Sequence, residues 1–209
     1  DFNVGNGLEV ALGGGRPYFE PNTKADPEYP TRKGRRTDGR DLTAEWAAKP
    51  GAAYVWNKAQ FDAVGPRRTK RLLGLFEPSH VKYEADRAND AAGEPSLAEM
   101  TRKSIQMLQK NPKGFYLMVE GGRIDHAHHA GNAYRALTDT IALAEAVKVA
   151  REMTDDEDTL IIVTADHSHT LTISGYMERR APLLPAPPLP SSGLPAQLDL
   201  KSALRFDLA

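Results

Sequence analysis

The stretch VEGGRIDHAHH (119–129) sets Glu120, Asp125, His126, His128 and His129 directly after an apolar run. A second cluster, TADHSHT (164–170), sets Asp166, His167 and His169 after the run LIIV. Five of the chain's six histidines lie in these two clusters, each time beside acids. Imidazole with carboxylate suits zinc, and carboxylate with water suits magnesium. Cysteine is absent, so any metal must be held by histidine and carboxylates. So many ligand-type side chains at close quarters repel one another unless a cation neutralises them. That points to a site for two or three metal ions. Paired metals serve in-line displacement at phosphorus, clamping the attacking and leaving oxygens.

Something must bring the clusters together. GFYLMVE (114–120) and DTLIIVTADH (158–167) read as buried strands. Between them, 132–153 reads as a long helix with Ala133, Leu137, Ile141, Ala144 and Val147 on one face. Strand, helix and strand with apolar strands throughout predict a parallel sheet covered on both faces. The carboxyl ends of neighbouring strands then line one crevice, which receives Glu120, Asp125, His129, Asp166 and His167. Asp125 and His129, four apart, share a face if a helix begins there. The fold class is α/β, part of a mostly parallel central sheet flanked by helices.

Upstream, LEVALGGG (8–15) predicts a short strand ending in a glycine turn. The glycines lack the following Lys-Ser/Thr of a phosphate loop. Residues 16–40 read as a long surface excursion. Residues 41–49 predict a short helix capped by Asp41, and 52–57 a strand. RRTKRLLGLFEP (67–78) reads as helix or loop. Residues 95–111 predict an amphipathic helix whose Ser96 and Glu99 form a capping box. Six of the fifteen prolines fall in 181–197, so 177–209 reads as a linker-like tail.

The 209 residues suffice for one domain or for part of a larger one. A net charge of −1 offers no basic excess for nucleic acid or an anionic membrane surface. No apolar run approaches the length of a membrane span. The chain opens at Asp1 without a methionine or a targeting signal, which points to processing or an excerpt.

At the two clusters the chain resembles the alkaline phosphatases, specifically the animal type. LGGGRPYF, YVWN, LLGLFEP and NPKGFYLMVEGGRID match the family in its order. The resemblance covers about residues 1–176, with a peripheral calcium region at about 26–95. It implies Glu120 as the magnesium ligand, Asp125 and His129 as ligands of a first zinc, and Asp166 and His167 as ligands of a second. It implies that His169 orients a zinc-ligating aspartate and that His126 lies near the magnesium site. Tyr176 would reach across a homodimer interface. The implied calcium ligands are Glu28, the carbonyl of Phe76, Glu77 and Glu94, where the family usually has aspartate.

The resemblance further implies hydrolysis of small phosphate monoesters through a phosphoserine, outside the cell or at its surface, with any membrane attachment through a lipid anchor. The family's Asp-Ser-Ala nucleophile motif does not occur in these residues, and no histidine follows His169. The catalytic arginine that grips phosphate in the family has no match here either. The expectation is therefore a central segment of a chain more than twice as long, holding much of the metal cage without the nucleophile. The alternative is a truncated, non-catalytic product that retains part of the metal site. A sulfatase-like hydrolase would need a modified Cys or Ser near its start, and no such motif is present.

Overall fold

The computed structural model describes residues 7–169. Three short strands form a parallel sheet: β1 (Val10–Gly13), β2 (Ala52–Val55) and β3 (Arg71–Leu75), in the order β1-β3-β2. Leu72 pairs with Val10 on one side and Ala53 on the other, which makes β3 the central strand. Its burial follows from that place, with Leu72 and Leu73 almost wholly enclosed. Part of 67–78, expected as helix or loop, thus holds the middle of the sheet. RLLGL carries no alternation because both of its faces are covered.

Among the described residues five α-helices accompany the sheet: α1 (Leu42–Ala47), α2 (Lys58–Ala63), α3 (Leu97–Leu108), α4 (Arg123–His129) and α5 (Ala133–Met153). Their starts follow local chemistry. Asp41 accepts from the Ala44 amide, Asn57 from that of Gln60 and Asn132 from that of Arg135. Ser96 and Glu99 form the expected reciprocal capping box. The core joins Val55, Phe61, Val64, Leu72 and Phe76 to Met100 and Met107 of α3. Phe61 meets Phe76 edge to face at 5.8 Å. Helix α5 packs on both α3 and α4.

Residues 16–40 are anchored more firmly than a surface excursion. Arg16, Glu20 and Asp26 are buried within it, and the Arg16 guanidinium bonds Asp26, Glu28 and the carbonyls of Leu75 and Phe76. Gly14 permits this approach to the loop after β3, since a Cβ there would lie 1.8 Å from the Ser79 carbonyl oxygen.

Two further expectations differ from the structure. Residues 114–120 and 158–167 run without regular secondary structure and enter no ladder among the described residues. Tyr116 is 87% exposed and Leu160 84%, where buried strands were expected. A strand needs a neighbour to bond its backbone and a layer to cover its face, and the described sheet ends at β1 and β2. The second correction concerns α5, which buries Ala136, Asp139, Ala146 and Val149 while Leu137 and Ile141 face outward. Apolar residues lie round most of its circumference, so periodicity did not single out the face that packs. Among the described residues no helix is long and apolar enough to cross a membrane. Tyr176 and the 177–209 segment lie outside the described residues.

Candidate metal centre

The loop after β3 positions the histidine helix. Two guanidinium groups meet the Tyr83 ring, with Arg123 of α4 3.7 Å and Arg135 of α5 4.6 Å from its centroid. Arg135 also pairs with Asp86 at 2.8 Å, and the Glu84 amide donates to Asp139 of α5. Burial pushes the Asp139 carboxyl up to about 6, against the lowering effect of the Glu84 amide and Arg123. The start of α4 and the face of α5 are thus tied to a single loop.

On α4, Asp125 and His129 do share a face: His129 Nε2 lies 3.5 Å from Asp125 Oδ2. His169 Nε2 comes within 3.3 Å of Asp125 Oδ1. One donor atom from each of Asp125, His129 and His169 lies within 4.8 Å of the other two. This spacing of two imidazoles and a carboxylate suits a divalent ion with an open position. Asp125 Oδ1 and His169 Nδ1 are buried without hydrogen-bond partners, which leaves donor capacity for such an ion.

The other acids and histidines stand further out. His167 Nε2 is 3.9 Å from Asp125 Oδ1 and 3.6 Å from Asp166 Oδ2, while the Asp166 side chain is 90% exposed. The Ser168 carbonyl, then Asp166, raises the His167 imidazole above its ordinary range. Glu120 is exposed beside Gly122, ahead of α4, and is not one of the three converging donors. His126 contacts Arg123 at 3.2 Å, and desolvation, then His80 and Arg123, hold its imidazole low. The His128 ring lies tilted at 52° to that of His169, with centroids 5.0 Å apart.

His80 stands outside both histidine clusters of the sequence. Its ring is tilted on that of His126 at 4.1 Å. The available signal was its position just beyond the carboxyl end of β3, the edge of a parallel sheet where ligands collect.

A second cluster joins Glu28, Glu77 and Asp90, again with donor atoms within 4.8 Å of one another. Glu94 is buried beside them, where Oε1 accepts from the Lys82 amide at 2.7 Å and Oε2 has no partner. Burial pushes the Glu94 carboxyl up to about 7, with Glu77 and Asp90 adding to the rise. The Phe76 carbonyl already accepts from Arg16 at 2.6 Å, and Glu28 from the same guanidinium at 2.9 Å. Orphaned carboxylate oxygens fit a hard cation, although part of the donor set is bound to the chain's own cations.

A parallel sheet flanked by helices, with an aspartate and two histidines gathered where they could hold a metal ion, defines an α/β protein with a candidate metal centre. The family model for alkaline phosphatases matches residues 3–193, and the chain belongs to that family. It is 48% identical over 191 residues to the tissue-nonspecific alkaline phosphatase of Gallus gallus, covering 88% of this chain and 36% of that one. The Homo sapiens tissue-nonspecific isozyme is 45% identical over 179 residues, covering 82% and 34%. The crystal structure of the Thermus thermophilus alkaline phosphatase superposes with a TM-score of 0.58 at 39% identity, covering 69% of this chain and 27% of that one. A cold-active Shewanella alkaline phosphatase gives 0.51 at 28%, covering 69% and 30%. The chain thus spans about a third of the length of the curated relatives it matches.

Proposed function

We propose that these residues form the metal-binding part of an alkaline phosphatase that hydrolyses phosphate monoesters, and that the whole protein acts through a serine nucleophile outside this stretch. The convergence of Asp125, His129 and His169 on one volume carries the reading. Asp125 and His129 would hold one zinc, and His169 orients Asp125 or serves as a further ligand. Asp166 and His167 would hold a second zinc, and Glu120 a magnesium ion. Bound zinc supplies a low-pKa water and a Lewis acid for phosphoryl oxygens. The chain's part is to orient the donors. The i,i+4 spacing on α4 fixes Asp125 against His129, and the Tyr83 clamp fixes the start of α4. Desolvation, then His80 and Arg123, hold the His126 imidazole low, which favours its neutral form, able to accept a hydrogen bond.

Glu28, Glu77 and Asp90, with Glu94 beside them, would form a peripheral calcium site. Homodimer formation, location at the cell surface and attachment by a lipid anchor belong to the same proposal. These 209 residues hold no Asp-Ser-Ala motif, so the chain by itself is expected not to turn over substrate, which favours a non-catalytic role for it in isolation.

The test is a chimera in which this chain replaces the matching stretch of the Gallus gallus relative. Hydrolysis of p-nitrophenyl phosphate at alkaline pH is expected to be restored, to stop on chelation and to fall by several orders of magnitude with Asp125→Ala. A folded chimera that hydrolyses nothing, or that ignores Asp125→Ala, would overturn the proposal.

A further inference from the structure

The acidic pocket beside the sheet already contains a cation of the chain's own. Lys82 Nζ reaches Glu77 Oε1 at 2.8 Å, lies 3.9 Å from Asp90 Oδ1 and bonds the Tyr29 hydroxyl at 3.3 Å. The Lys82 backbone amide meanwhile holds Glu94 Oε1. One residue therefore engages three acids, through its side chain and its backbone. The Asp90 and Glu77 side chains are only 2% and 6% exposed, so they need a counter-charge close by.

We propose that the Lys82 ammonium is the resident counter-ion of the Glu28–Glu77–Asp90 pocket, so that the loop after β3 keeps its fold without a divalent ion and calcium enters only by displacing it. An ammonium and a calcium ion cannot share a ring of donors this narrow, because like charges about 4 Å apart repel strongly at the dielectric of a partly buried site. Displacement remains open to it: the Lys82 side chain is one-third exposed, and its flexible stem gives the head a path to water. The pocket also keeps an excess of negative charge. Lys82 faces Glu77, Asp90 and Glu94, while Arg16 is divided between Asp26 and Glu28. Asp90 Oδ2 and Glu94 Oε2 have no hydrogen-bond partner, and Glu77 Oε1 meets Lys82 only as an ion pair, so these are the oxygens that an incoming ion would take.

This inference rests on reading the pocket as a calcium-type site, and the experiment separates the two. The full metal-free chain, Lys82→Met and Lys82→Arg are melted in EGTA and in about 1 mM calcium. Terbium binding is followed by luminescence sensitised through Tyr29. The wild type and Lys82→Arg are expected to melt at nearly the same temperature in both buffers. Lys82→Met melts lower in EGTA, recovers in calcium and binds terbium about tenfold more tightly than the wild type. If the wild type loses stability in EGTA as much as Lys82→Met, or the two bind terbium equally, Lys82 is not the counter-ion and the pocket reading stands. If neither binds terbium, both readings fall.

Discussion

The half of the molecule built on the sheet and the half carrying the histidines solve burial differently. In the first, β1 to β3 and α3 close a core around Leu72, and even the buried charges of Arg16 and Asp26 find each other at 2.7 Å. In the second, α4 and α5 pack together, but the segments leading to both ligand clusters expose Tyr116, Met118, Leu160 and Ile162. The ligands themselves follow that division. Glu77 and Glu94 are buried, whereas Asp166 and His129 face water, with His169 alone largely covered among the histidine-cluster ligands. A cage of ligands is only as rigid as the strands that carry it, and here the acidic pocket is built on a covered element while the histidine cluster is not.

The largest effects should come from breaking the covered half. Leu72→Ala is expected to cost about 2–5 kcal/mol in urea unfolding, because Leu72 is completely enclosed at the centre of the sheet. Arg16→Met should cost about 3–5 kcal/mol by leaving Asp26 buried without its partner. If either change is nearly neutral, this half is not the closed unit described. Ser96→Ala should cost about 1 kcal/mol through loss of the capping box.

The exposed half should respond weakly. Ile162→Lys, at a side chain 75% exposed, is expected to stay within about 0.5 kcal/mol of the wild type. Amides of 115–119 and 160–163 should exchange with deuterium long before those of 71–75. Equal protection would show that the extended segments are paired.

A pH series sharpens the boundary between the halves. The Asp139 carboxyl, raised to about 6 from an ordinary value of 3.8, binds its proton more readily folded than unfolded. Its charged form therefore costs stability above about pH 6, and the cost fades as pH falls toward 4. Asp139→Asn should melt higher than the wild type at pH 7 and converge with it near pH 4. A wild-type advantage that persists from pH 7 to pH 4 would place Asp139 in a charge pairing instead.

What the sequence made legible was local chemistry. The Ser96–Glu99 box, the Asp41 cap and the four-residue step from Asp125 to His129 each depend on neighbours a turn away, and each is found. What it hid depended on distant partners. RLLGL becomes the central strand only because β1 and β2 flank it. The packed face of α5 is selected by α3 and α4, not by its own composition. Asp90 joins Glu77 and Glu28 through the path of a loop whose spacing carries no periodic signal. His80 reaches His126 across 46 positions of chain, beyond any motif.

The most direct measurement is calorimetric titration of zinc into the metal-free chain and into Asp125→Ala. Asp125, His129 and His169 converge while Asp166 stands away in water, so weak binding of less than two equivalents is expected, and Asp125→Ala should abolish it. Tight binding of two zinc ions, or binding that survives Asp125→Ala, would contradict the division drawn between a closed half and an open, partly assembled metal centre.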